Sequence, residues 1–341
     1  MLDDLKYIHQ RDGQDALGTA EKQWQQLKHR FDFEFSKKEN IENVVLAGMG
    51  GSALGAVFLQ SWPGLPLPFE IVRNYSIPKY VGPKTLFISS SYSGNTEETL
   101  SSLSEAEAKG AQIVVMAEGG KLVEMATAKN YPLLLIPAVL QPRMAAFYTL
   151  TGVIQILEAA EIVTDYSKEL AETADWLARQ VSTWRPDIAT DKNPTKQLAL
   201  ELAGKSVIVY SGPLMFPAAN KFKIWINENA KNLAWANQYP EFNHNEFIGW
   251  SSHPIQKPFA VVEIQSNLEH QRVQQRFTVT ERMLSGRRPV PQVIKPEGDT
   301  VLKQLLWAAL YGDFASIYLA LCNGVDPAPV ELVEKFKKEL G

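Results

Sequence analysis

Short apolar runs and longer helical periodicities alternate along most of this chain. The run Val44-Val45-Leu46-Ala47, ended by Gly48, reads as a buried parallel strand. Phe69 to Arg73, Thr85 to Ser89, Gln112 to Ala117 and Leu133 to Ile136 repeat that pattern. Between them, Ala53 to Trp62 reads as helix stopped by Pro63 and Gly64. Glu97 to Lys109 reads as helix capped by Gly110, and Leu122 to Lys129 as a third. Residues 1–30 carry Leu17, Trp24, Leu27 and Phe31 at roughly helical spacing, which predicts a leading helix. Ala145 to Glu161 and Leu170 to Val181 are long helical stretches, and Arg185 to Pro194 is a turn-rich connection.

The alternation then restarts. Ser206 to Tyr210 predicts a strand ending in Ser211-Gly212-Pro213, Pro217 to Asn229 a helix, and Phe259 to Ile264 another strand. Arg276 to Leu284, Val290 to Ile294, the strongly apolar Leu302 to Leu321 and an amphipathic Pro329 to Leu340 complete the pattern. Strand–helix alternation of this kind is the mark of a doubly wound parallel sheet, here occurring twice. The expected fold is therefore α/β, with two doubly wound subdomains whose parallel sheets are flanked by helices. Their expected extents are residues 1–160 and 161–341.

Length and composition narrow the picture. The chain has 341 residues, 34 Lys and Arg against 38 Asp and Glu, and a net charge of −4. That balance argues against nucleic acid as a partner. No run of 18 uncharged apolar residues occurs and no basic-then-apolar leader opens the chain, so no membrane partner and a cytoplasmic location are expected. Cys322 is the single cysteine. His9, His29, His244, His253 and His270 show no metal-ligand spacing, so neither a metal nor another cofactor is expected.

Two loops are suited to holding a phosphate. Gly48-Met49-Gly50-Gly51-Ser52-Ala53 follows the first strand and precedes a helix, where glycines let backbone N–H groups approach an anion. Gly48, Gly50 and Ala53 nearly match a dinucleotide fingerprint. The second strand, however, begins with Glu70 and ends with Arg73, so only an NADP-linked reductase stays open on that reading. The loop after the third strand, Ser89-Ser90-Ser91-Tyr92-Ser93-Gly94-Asn95-Thr96, offers several hydroxyls at a helix start. A helix cap explains one of these hydroxyls but not the cluster. Two such loops at one sheet edge suit a single phosphate monoester better than a pyrophosphate.

In the second half, Asn227-Glu228-Asn229-Ala230-Lys231 and Pro240-Glu241-Phe242-Asn243-His244-Asn245-Glu246 place ionisable groups among Trp225, Trp235, Tyr239, Phe242, Phe247 and Trp250. A carboxylate beside apolar rings and an imidazole near neutrality both suit proton transfer.

Gly50-Gly51-Ser52 and Ser91-Tyr92-Ser93-Gly94-Asn95-Thr96-Glu97-Glu98-Thr99 resemble the sugar isomerase (SIS) domain, which binds phosphosugars. With the two second-half motifs, Gln141-Pro142-Arg143, Gly324-Val325-Asp326-Pro327 and Glu334-Lys335-Phe336-Lys337, the chain is similar over nearly its whole length to the bifunctional phosphoglucose/phosphomannose isomerases. The resemblance implies two SIS-type subdomains, a hexose 6-phosphate substrate and aldose–ketose isomerisation through a cis-enediol(ate). It implies that Glu228 is the base and that Arg143 stabilises enediolate charge. His244 would help open the sugar ring from the neighbouring subunit of a homodimer, and Lys337 would assist at the ring oxygen or hydroxyl. Gly50, Gly51, Ser52, Ser91, Ser93 and Thr96 would hold the phosphate. Many members carry Thr where Asp326-Pro327-Ala328-Pro329 stands here, and a hydroxyl there goes with acceptance of the mannose epimer.

Overall fold

The computed structural model describes residues 1–251 and 259–340, and His253 lies outside them. Nine strands and thirteen α-helices form among the described residues. The strands are β1 (Asn43–Ala47), β2 (Phe69–Val72), β3 (Thr85–Ser90), β4 (Gln112–Ala117), β5 (Leu133–Leu135), β6 (Ser206–Ser211), β7 (Ala234–Gln238), β8 (Phe259–Ile264) and β9 (Gln292–Ile294). The first seven helices are α1 (Leu5–Arg11), α2 (Ala16–Lys22), α3 (Leu54–Phe58), α4 (Glu97–Ala108), α5 (Gly120–Lys129), α6 (Ala146–Ala159) and α7 (Ser167–Val181). The rest are α8 (Pro194–Leu202), α9 (Phe216–Ala230), α10 (Glu246–Gly249), α11 (Gln271–Met283), α12 (Val301–Cys322) and α13 (Glu331–Leu340).

The chain divides into two compact units. One is Lys22–Trp176, and the other joins Met1–Glu21 to Leu177–Gly341. The division thus falls within α7 rather than after residue 160, and the first 21 residues pack with the second half. Tyr7 Oη donates to the Leu321 carbonyl at 2.8 Å and Arg11 Nη1 to the Gly324 carbonyl at 2.6 Å, which ties α1 to the end of α12.

In the Lys22–Trp176 unit all pairings are parallel and the strand order is β2-β1-β3-β4-β5. Chain direction around the sheet reverses between β1 and β3, so the loops leaving those two strands flank the crevice where such sheets bind ligands. This is not the 3-2-1-4-5-6 order of dinucleotide-binding folds. β1 and β3 are apolar and buried because helices cover both faces. α4 buries Thr99, Ser102, Leu103 and Ala106 at helical spacing, carries Glu97 and Glu98 at its positive end, and stops at Gly110, whose φ is +74°.

The other sheet has the order β7-β6-β8-β9, again all parallel, so its reversal lies between β6 and β8. Its core is α12, buried at every position from Leu302 to Leu321 except Lys303. α12 is long and apolar enough to cross a membrane, yet 94% of its most apolar window is buried inside the unit. Gly312 lets α9 approach closely, since a Cβ there would stand 2.9 Å from the Phe222 ring.

The structure departs from the pattern in four places. Residues 1–30 break into α1, α2 and a 3-10 turn at Gln23–Lys28. The Asp12 carboxylate takes the N–H groups of Ala16 and Leu17, and Asp15 adopts a φ of +57°, which restarts the helix. The helix expected over 53–62 begins as a 3-10 turn at Gly50–Ala53 and is α-helical only over α3. α8 forms behind Pro194, with the Asn193 side chain capping Thr195 and Lys196. β7 escapes notice because it is a half-exposed edge strand without an apolar run; Trp235 is 49% exposed.

Candidate active site

The two loops flanking the β1/β3 crevice are tied together. Tyr92 N–H donates to Ser52 Oγ at 2.9 Å, and Ser90 Oγ donates to the Ser52 carbonyl at 2.9 Å. Gly50 has a φ of +49°, a conformation natural to glycine. A Cβ on Gly51 would stand 2.8 Å from Arg143 Cα, so the Arg143 backbone rests directly on the first loop. Only glycine permits that approach.

Arg143 is delivered from the other side as well. It sits in a 3-10 turn, Pro142–Ala145, that Pro142 opens. Gln26 Nε2 donates to the Met144 carbonyl at 2.7 Å, and Val139 N–H donates to Tyr92 Oη at 2.7 Å. Arg143 is 2% exposed. A guanidinium that keeps its charge when this deeply buried is a strong, fixed source of positive potential.

In the second loop Ser91 Oγ and Thr96 Oγ1 share a hydrogen bond of 2.8 Å, and Ser93 Oγ accepts from Asn95 N–H at 3.3 Å. Thr96 is the N-cap of α4, but its hydroxyl caps no helical N–H. The hydroxyl cluster is therefore not explained as helix capping. A Cβ on Gly94 would stand 1.7 Å from the Gly119 carbonyl oxygen, which holds this loop against the β4–α5 turn. The hydroxyls of Ser89 and Thr99 are buried with no hydrogen-bond partner among the described residues. Gly50, Gly51, Ser52, Ser91, Ser93, Thr96 and Arg143 thus converge in one unit.

Glu228, His244 and Lys337 belong to the other unit. Glu228 is half-buried near the end of α9, and its neighbours in the motif are committed to the fold. Asn227 Oδ1 accepts from Ala234 N–H at 2.9 Å, and Asn229 Nδ2 donates to Ser316 Oγ at 3.0 Å. Lys231, left-handed with a φ of +51°, donates from Nζ to the Asp326 carbonyl at 2.5 Å. A buried ion pair between Lys221 and Asp313 adds a further fix between α9 and α12.

The His244 motif follows the same plan. Glu246 accepts from Tyr210 Oη and, at 2.6 Å, from Asn237 Nδ2. Asn243 Nδ2 donates to Thr280 Oγ1 at 3.0 Å while its Oδ1 accepts from Arg276 at 3.1 Å. Burial and the Glu246 carboxylate push the Tyr210 phenol far up, so it stays a hydrogen-bond donor. Tyr239, Phe242 and Trp250 are buried beneath the motif, whereas His244, at the end of the 3-10 turn Glu241–His244, is exposed. Lys337 lies on the solvent-exposed α13 and its Nζ donates to Glu334 at 3.3 Å, one turn away.

One group at this unit's sheet edge has no counterpart in the sequence reading. Glu269 is 5% exposed, accepts from Leu214 N–H at 2.9 Å, and is pushed up to about 7 by burial. Its one sequence clue is Gly212, the glycine that ends the apolar β6 run 57 residues earlier.

Two parallel sheets flanked by helices, each with a reversal in strand order, are the fold of the SIS phosphosugar isomerases. The fold matches the C-terminal domain of glucosamine-fructose-6-phosphate aminotransferase from Francisella tularensis with a TM-score of 0.70 at 15% identity, covering 92% of this chain and 98% of that one. It matches tagatose-6-phosphate ketose/aldose isomerase from Escherichia coli with a TM-score of 0.62 at 17% identity, covering 94% and 91%. The family model "Bacterial phospho-glucose isomerase C-terminal SIS domain" matches residues 191–340. The bifunctional phosphoglucose/phosphomannose isomerase of Caldicellulosiruptor bescii is 35% identical, with 89% of this chain and 91% of that protein covered. The Aquifex aeolicus enzyme of the same name is 31% identical, with 92% and 95% covered. The chain belongs to the bifunctional phosphoglucose/phosphomannose isomerase family, a family of enzymes. That membership spans both halves, which neither a regulator carrying only phosphate loops nor an NADP-linked reductase accounts for.

Proposed function

We propose that this enzyme interconverts glucose 6-phosphate and mannose 6-phosphate with fructose 6-phosphate through a cis-enediol(ate), with no metal or other cofactor. The observation that carries the reading is the delivery of Arg143 onto Gly51, beside a hydroxyl cluster that helix capping does not explain. Gly50, Gly51, Ser52, Ser91, Ser93 and Thr96 hold the phosphate. Its binding energy, remote from the reacting carbons, holds the sugar chain in reactive geometry. Glu228 removes the proton from one of the two oxygen-bearing carbons and returns it to the other. Arg143 stabilises the enediolate charge as a fixed cation. His244 assists ring opening from the neighbouring subunit of a homodimer, and Lys337 assists at the ring oxygen or hydroxyl.

The exposed apolar side chains Leu233, Trp235 and Ile248, near the His244 motif in sequence, support a protein surface meeting another copy. Ala328 is buried and its N–H donates to Asp326 Oδ1 at 2.9 Å, so the position has no hydroxyl to offer a mannose epimer. We place the enzyme in the cytoplasm, in keeping with its one free cysteine. A coupled assay run in parallel on fructose, glucose and mannose 6-phosphates without added metal tests the reading. Turnover of all three is expected, with mannose 6-phosphate the slowest; no turnover of any would sink the assignment.

A further inference from the structure

The two sheets follow one plan. β6 occupies the place of β1, β7 of β2, and β8 of β3, so the loops leaving β6 and β8 flank the second reversal as the phosphate loops flank the first. The loop after β6 is Gly212 and the 3-10 turn Pro213–Met215, which runs directly into the 15-residue α9. The loop after β8 leads to His270, whose Nδ1 caps α11 by accepting from Arg272 N–H at 3.1 Å.

Here the two loops are joined by a carboxylate. Glu269 Oε1 accepts from Leu214 N–H at 2.9 Å, and the next N–H, that of Met215, which itself bonds the Gly212 carbonyl at 3.2 Å, also favours the charged carboxyl. A Cβ on Gly212 would stand 2.2 Å from the same Oε1, so the carboxylate fills the space that this glycine leaves. Successive backbone N–H groups at the head of a helix, beside a glycine, are the usual way a fold holds an anion. A second observation comes from Ser211, which precedes Gly212. Its hydroxyl is fully buried and has no hydrogen-bond partner among the described residues.

Glu269 is itself held in place. Gln274 Nε2 donates to its carbonyl at 2.7 Å, and Ser266 and Asn267 are both bonded to Gln304 of α12, at 2.5 and 2.6 Å. Burial makes the charged carboxyl costly, which its raised value near 7 reflects. A glutamine could accept the same N–H groups without that cost.

We propose that the four-stranded unit contains a second anion cradle, built on the plan of the phosphate loops and kept shut by Glu269 as an internal anion. Phosphate is thereby admitted only by the five-stranded unit, and each chain takes one hexose phosphate. This rests on the phosphate-loop reading given above.

The test uses the full chain with inorganic phosphate as the probe, in a background where Ser91→Ala and Thr96→Ala disable the first cradle. Calorimetry or phosphorus NMR then counts bound phosphate. The background protein is expected to bind none, and adding Glu269→Ala is expected to create one site per chain. A folded Glu269→Ala protein that gains no site overturns the proposal. If Glu269→Ala unfolds, its recovery is followed by circular dichroism as phosphate is raised. Refolding that saturates with phosphate supports the internal-anion role, provided Glu269→Gln folds and gains nothing from phosphate; no recovery overturns it. Should the parent chain bind no phosphate while Glu269→Ala binds one, the phosphate-loop reading fails, and with it the assignment of phosphate to the five-stranded unit, while the closed second cradle stands.

Discussion

The two reversal points differ in what joins their loops. Between β1 and β3 the ties are neutral, Tyr92 N–H to Ser52 Oγ and Ser90 Oγ to the Ser52 carbonyl, with a buried Arg143 resting on Gly51. Between β6 and β8 the tie is a carboxylate, Glu269 on Leu214. One edge gathers hydroxyls and a cation, the other supplies its own negative charge. One sheet plan thus carries a proposed phosphate grip at one edge and an internal carboxylate at the other, and the proposed proton chemistry sits at the far end of α9, away from the second crevice.

Breaking the chemistry while leaving the grip intact gives the largest expected effect. Glu228→Gln should lower kcat by about 10²–10⁴-fold, while inorganic phosphate still binds as in the parent chain. Unchanged turnover would remove Glu228 as base. Ser91→Ala with Thr96→Ala should do the reverse, raising KM for the phosphosugar more than it lowers kcat.

A pH experiment sharpens the contrast at the second edge. Glu269 is raised in the folded chain to about 7, from an ordinary value near 4.5. Its contribution to stability is therefore fully present below about pH 4.5 and declines as pH rises through 7. Glu269→Gln should match the parent chain below about pH 4.5 and exceed it at pH 8 by about 3 kcal/mol, read from urea midpoints. A difference that does not change with pH would contradict the buried-charge account. Gly51→Ala should then cost about 1–3 kcal/mol, because the new methyl group meets Arg143 backbone; thermal unfolding measures it. At the small end, Lys337→Ala should shift stability by under about 0.5 kcal/mol, since its partner Glu334 is exposed. Any sizeable loss of kcat in that variant would then mark a chemical role.

What the sequence disclosed follows the range of the interactions. The two loops proposed to hold phosphate stand out because their signals are local: glycines and hydroxyls within six residues, directly after an apolar strand. The neighbours of Glu228 and His244 were visible as polar motifs, but not that Asn227, Asn229, Lys231 and Glu246 serve the fold. Some of their partners, such as Ser316 and Tyr210, lie tens of residues away. Glu269 left no local trace, because its meaning comes from Gly212 and Leu214. The attachment of Met1–Glu21 to the second half depends on Leu321 and Gly324, more than 300 residues distant, and no periodicity records such a pairing.

That attachment has a consequence for synthesis. The five-stranded unit is one continuous stretch, Lys22–Trp176, and has every residue it needs once that stretch has emerged. The other unit cannot close until α12 is made, so α1 waits through the synthesis of some 300 residues for Leu321 and Gly324. The unit proposed to hold the phosphate is thus complete before the unit that carries Glu228. On the ribosome, helices α1 and α2 stand without their partners, presenting Ile8, Leu17 and Ala20, buried in the finished protein, to water. A segment made more than 300 residues ahead of its partners cannot find its place until they emerge.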